Sequence, residues 1–426
     1  MLRIVSSALI LGASLLLTAC FEHSTRAFEL SYTRMLESSR PLPYREDSPY
    51  AHVLGPCMMI RDAAESCTPS RLPPLGYPDG QVPDVDTVMQ RVLVSHDWMG
   101  AHFEAFLESM PEDMLHLLRS VTAITISADV RPAYYSAWRG AIFIDPNYLW
   151  LTHEQRQQID LSPDYRSDFG ADLQFVFPWR YVRDNDYAFD FIPVSVEEVN
   201  PRELDDIRLS LARLMYHELA HAVDYLRPGR LSIPPDLPIA YWTAPTVSDH
   251  LSSLYPLLSQ TMHRLAGVRY LGWDSNAEER ALLPEDVAPL FADDRATHFY
   301  SYTTQREDQA MLFEAIMSLY HFDMPMDVAI TARPESGMSN DDLVVVWGQR
   351  NRLAETSIRP RAESILAVML PEFDFSEWLD DLPPPVSLVP GATWHENLAP
   401  DTLAPDALPR DYRDHLLHHH PQAHPH

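Results

Sequence analysis

The chain has 426 residues, 46% of them hydrophobic, enough to bury a sizeable core, and a formal charge of −29 carried against arginine as its sole strong base. A surplus of acid on this scale argues against a nucleic-acid binder, which needs a basic face for phosphates. It also argues against broad adhesion to anionic lipid.

Residues 1–19 read as a signal peptide, with a basic start at Arg3 and an apolar run from Ile4 to Leu17 that is too short to span a bilayer. The ending Leu17-Thr18-Ala19-Cys20 resembles a bacterial lipobox, which implies lipid on Cys20 as the membrane tether. Phe21 after it implies the outer membrane, so the expected location is the cell envelope, on its periplasmic face. In that oxidising compartment Cys57 and Cys67, ten residues apart, read as a disulfide. Residues 20–85 are rich in Pro, Ser and charge and are expected to form a lipid-tethered, disulfide-pinned extension.

From Asp86 apolar residues recur at helical intervals as far as Leu107, and Ser109-Met110-Pro111-Glu112 predicts a fresh capped helix. β-Branched runs at 121–130, 140–146 and 172–179 read as strands, and 341–349 as a late one. The best-marked helix follows Asn200 as its cap, with Pro201 at its first position and Glu203 completing the box, and it ends at Pro228-Gly229. Further helices are expected at about 247–266, 305–321 and 356–370. The main domain is 86–380, α+β and helix-rich with a small mixed sheet. From Asp381 to His426, Pro and His dominate and predict a disordered tail.

Within the long helix stands "HELAH", residues 217–221. Positions i and i+4 share one helix face, so His217 and His221 can share one zinc ion, which favours imidazole nitrogen at about 2.0–2.1 Å. Glu218 projects beside that face, where a carboxylate can take a proton from water. Both histidines fall at the apolar stripe, where polar groups are costly without partners. A third ligand must come from elsewhere, because Asp224 and Arg227 replace the glycine and third histidine of the extended metzincin pattern. Glu307, Asp308 and Glu314, within "FYSYTTQREDQAMLFEAIM", are the candidates.

The stretch "HELAHAVDY" is similar to the zinc helix of the anthrax lethal factor group of gluzincin peptidases, including Asp224 three residues past the second histidine. Tyr300, Glu307, Ala310 and Phe313 stand at that group's intervals on a later helix. The resemblance implies a zincin-like fold with Glu307 as third ligand, Tyr300 as a phenol that steadies an oxyanion, and Asp224 as a partner for a ligand imidazole. It departs at Met311, where the group has a second glutamate. Glu314, seven residues past Glu307, is the residue expected to take over that orienting task.

"YYSAWRGAIFIDP" resembles the edge strand along which zinc peptidases lay their substrate, and the strand after Gly140 is either that edge or an ordinary internal strand. Two further features stay open. The histidines at 415, 418, 419, 420, 424 and 426 either concentrate zinc or form an unselected end, and Arg350 and Arg352 make either a salt-bridged turn or a contact for a substrate carboxylate. The reading is a zinc metallopeptidase acting on a peptide or protein substrate, with one zinc per chain. A non-catalytic zinc-binding lipoprotein, or a zinc amidase on peptidoglycan stem peptides, are the competing readings.

Overall fold

The computed structural model describes residues 38–189, 201–227 and 232–403. The signal peptide, Cys20, Asn200, Pro228-Gly229 and the histidine tail lie outside the described residues.

The first sheet contains β1 (Leu42–Pro43), β2 (Val92–Val94), β3 (Ile124–Ile126), β4 (Tyr134–Ser136) and β5 (Ala141–Ile144), in the order β1-β2-β3-β5-β4. β2, β3 and β5 run parallel, while β1 and β4 close its two sides antiparallel. The strand after Gly140 is therefore internal, and the edge is β4, which precedes it. Gly140, at φ +62°, makes the reversal between β4 and β5. A Cβ there would stand 2.8 Å from a Leu226 methyl, so glycine lets the hairpin close onto the helix that ends at Tyr225.

The second sheet is antiparallel, in the order β11-β10-β9-β7-β8 with β6 also on β9: β6 (Phe175–Val176), β7 (Trp179–Arg183), β8 (Asp186–Tyr187), β9 (Met326–Ala332), β10 (Val345–Arg350) and β11 (Val386–Ser387). Pro178 has no N–H to donate and divides the expected 172–179 strand into β6 and β7, while its carbonyl still accepts from Ala329 at 3.0 Å.

The main helices are α1 (Ala51–Met58), α2 (Asp97–Glu108), α3 (Glu112–Leu118), α4 (Leu204–Tyr225), α5 (Val247–Leu254), α6 (Gln260–Tyr270), α7 (Pro284–Ala292), α8 (Gln305–Phe322) and α9 (Arg359–Met369). The expected 247–266 helix is two helices, α5 and α6, with Pro256 between them. The 86–107 stretch holds the buried strand β2 before α2 begins, because Val92, Leu93 and Val94 pair with β3. Ser109 closes α2, its hydroxyl donating to the Phe106 carbonyl, and Pro111 rather than Ser109 precedes α3.

α4 starts at Leu204, later than expected. Arg202 is tied to the 147–151 turn through its backbone N–H to Leu151 O and its guanidinium to Trp150 O, so the helix begins only beyond it. Glu203 is the cap, its N–H donating to Asp206, and Asp205 and Asp206 suit the positive end of the helix dipole. Ile207, Leu211, Ala212, Met215, Leu219 and Ala222 bury the apolar stripe against α3, α8 and the first sheet.

Two boundary expectations change. Residues 42–72 are part of the first sheet's core: Val53, Leu54, Met58 and Leu72 pack with Leu93, Ala123 and Phe143, and Cys57 and Cys67 form a disulfide within that layer. Residues 381–403 are packed as well. Trp394, Leu388 and Leu398 are buried, and the Trp394 carbonyl accepts from buried Arg180 at 2.6 Å while its ring lies under the same guanidinium. For residues 381–403 the disordered reading failed because those few apolar residues are spaced to fill a gap beside β10, which periodicity alone does not reveal.

Candidate metal centre

α4 and α8 pack along much of their length, and the seam between them carries the site. Thr304 caps α8 by accepting the N–H of Glu307 at 3.1 Å, which fixes Glu307 in the first turn. From there its carboxylate faces α4. Glu307 Oε2 lies 3.2 Å from His217 Nε2 and 3.4 Å from His221 Nε2. These atoms, one from each residue, fall within 4.8 Å of one another.

A tetrahedral ion with bonds of about 2.0–2.1 Å holds its ligand atoms about 3.3 Å apart. The spacing from Glu307 to each imidazole matches that value. Glu307 Oε2 and Glu218 Oε2 are also buried oxygens without a hydrogen-bond partner among the described residues. Two such atoms beside two imidazoles fit a bound cation, and the His-His-Glu donor set suits zinc.

The other candidates are placed differently. Asp308 turns away from the seam and pairs with buried Arg361. Glu314, wholly buried, stands behind His217, whose Nδ1 donates to its Oε2 at 3.0 Å. Its other oxygen accepts from Arg213 at 3.0 Å and from the Tyr181 hydroxyl at 2.9 Å. Arg213 also donates to the Tyr148 hydroxyl at 3.2 Å. These contacts fix the ring plane of His217, with Nδ1 committed to Glu314 and Nε2 turned toward Glu307. Arg213 stands four residues before His217 on the same face of α4, a signal the sequence reading passed over. Tyr148 and Tyr181 come from distant segments and left no local trace.

Asp224 has another occupation. Its oxygens accept from the Ser248 N–H at 2.8 Å and hydroxyl at 2.9 Å, and Arg306 Nε lies 3.4 Å away. It ties the end of α4 to the start of α5 rather than gripping an imidazole. Arg350 and Arg352 are structural: Arg350 joins Arg180 on buried Asp327, and Arg352 donates to carbonyls of Phe291, Asp294 and Ala296.

Burial raises the carboxyl pKa of Glu218, against the pull of the two imidazoles. That is the direction expected of a proton acceptor working near neutrality. Burial lowers the His217 imidazole, but Glu307 and Glu314 on its two nitrogens outweigh it and raise the group. Glu307 and Glu314 are held below the usual carboxylate range despite burial, Glu307 by His221 and His217 and Glu314 by Arg213 and His217. Burial and then the Glu307 charge push the Tyr300 phenol well above its ordinary value, so it keeps its proton and is a donor. Tyr300 is held from behind: its N–H donates to His298 Nδ1 at 2.9 Å, and its ring meets Tyr270 edge-on. His298 is buried and its pKa is lowered to about 4, chiefly by that burial, so it accepts as a neutral imidazole.

No protein-family model, no curated protein and no solved structure matches this chain.

Proposed function

We propose that the protein is a zinc-dependent metallopeptidase of gluzincin type with a zincin-like fold. His217, His221 and Glu307 would hold the ion. The observation that carries this reading is the convergence of those three side chains on one point, with Glu218 buried and unpartnered beside it. A zinc ion supplies electrophilic pull on a carbonyl and lowers the pKa of water.

Glu218 takes the proton of the attacking water and returns it to the leaving amine. Tyr300 donates its phenolic proton in a hydrogen bond to the oxygen that gains charge. Glu314, locked by Arg213 and Tyr181, keeps His217 in its ring plane. β4, with one side paired to β5 and the other at the sheet's edge, offers backbone groups to a peptide in extended form. Retention of a buried Glu218 favours turnover over zinc binding alone. We place the protein in the bacterial envelope, held by lipid on Cys20. Among the described residues no helix is long and apolar enough to cross a membrane.

The test is metal analysis and a peptide-library digest of the chain from residue 21 onward. One zinc per chain is expected, lost in His217→Ala/His221→Ala. Glu218→Gln should keep the metal and the fold while peptide cleavage disappears. Cleavage by Glu218→Gln at the parent rate would overturn the reading.

A further inference from the structure

Arg306 stands one residue before Glu307 on the first turn of α8. Its guanidinium lies over the ring of Tyr225, with the central carbon 4.6 Å from the ring centroid. Tyr225 in turn stacks on Tyr135 of β4, the centroids 5.7 Å apart and the planes 27° from parallel. The Nε edge faces Asp224 Oδ2 at 3.4 Å, and Asp224 is itself held by Ser248.

Arg306 therefore has one face on an aromatic ring and one edge on a fixed carboxylate, yet its side chain remains 43% exposed. Its two terminal nitrogens have no partner among the described residues. A long side chain already held this way loses little freedom when it binds, and the planar guanidinium matches a carboxylate with two parallel hydrogen bonds. Asp224 offsets the charge only in part, since both its oxygens also serve Ser248. In a chain of net charge −29 an open cation at this place is not background.

We infer that Arg306 determines specificity: its open edge receives a carboxylate of the peptide substrate that lies along β4 with its scissile bond at the His217–His221–Glu307 cluster. This rests on the peptidase reading. The carboxylate has two sources of the same chemistry, the C-terminus of a short peptide or an aspartate or glutamate side chain within a longer one.

The experiment takes a peptide cleaved by the parent in the library digest and compares matched versions: free acid against C-terminal amide, and internal Glu against Gln. The parent should cleave one carboxylate-bearing version faster, and the arm that responds names the source. In Arg306→Gln the ratio of kcat/KM between the charged and neutral versions should fall by about 10–100-fold, the span of a charged hydrogen bond. Arg306→Lys, which keeps the charge but not the planar fork, should fall between the two. Zinc content measured on both variants separates lost recognition from a damaged site. A parent that cleaves without preference, or an Arg306→Gln that keeps the preference, overturns the proposal and leaves the peptidase reading intact. A parent that cleaves no peptide removes the peptidase reading, and this proposal with it.

Discussion

At the level of single residues, two carboxylates hold opposite nitrogens of His217, and they differ in kind. Glu307 is shared with His221 and has an oxygen without a hydrogen-bond partner, whereas both oxygens of Glu314 are occupied by Arg213, Tyr181 and His217. Glu307→Ala should therefore empty the site. Glu314→Ala should retain zinc with affinity reduced about 10–100-fold, the usual cost of releasing a ligand imidazole from its orienting partner. Zinc titration of the two variants against a competing chelator measures both, and a full site in Glu307→Ala with an empty one in Glu314→Ala would exchange their roles. The pair of histidines was legible from spacing alone, because the 3.6-residue repeat dictates which side chains share a face. Choosing among Glu307, Asp308 and Glu314 was not. Thr304 and Glu307 also fit an ordinary helix-capping pattern, and nothing local says that this glutamate turns to another helix instead of back to its cap.

Among the elements, the strands were the least legible. β9, at the centre of the second sheet, follows α8 after a left-handed Asp323, and its burial on both faces removes the alternation that marks a half-exposed strand. Edge and internal strand could not be told apart in the sequence for a related reason: β4 has three residues and β5 four, and only the pairing of β5 with β3 shows which is internal. The exit of β5 carries a testable feature. Asp145 is buried, accepts from the Asn147 N–H and side-chain amide, and has its carboxyl pKa raised from 3.8 to about 6 by burial, with Arg131 acting against the rise. Between those two values the folded chain keeps a proton that the unfolded chain has released, so stability falls as pH rises through the window. Asp145→Asn keeps an acceptor and removes the charge. It should unfold like the parent near pH 4 and gain up to about 3 kcal/mol above pH 6. Urea unfolding at pH 4.5 and 7.5 tests this, and an equal effect at both would show that charge is not the cause.

For the whole molecule, the second sheet depends on chain that the composition marked as tail. Arg180 and Asp327 are wholly buried, and Trp394 covers the guanidinium of Arg180. Trp394→Ala should cost about 3–5 kcal/mol, as loss of a buried aromatic does. A chain ended at Asp380 should be insoluble or unfold at much lower temperature than the full one in thermal denaturation. Equal melting of the two would mean that the Arg180–Trp394 packing contributes nothing. The α4–α8 seam has a consequence for the order of events in the newly made chain. His217 and Glu314 are 97 residues apart, and helices such as α5, α6 and α7 must be accommodated between them. Contacts of that separation form late, after the intervening loop entropy has been overcome. The His217–His221–Glu307 cluster therefore comes into being only when the stretches of chain that carry α4 and α8 have met.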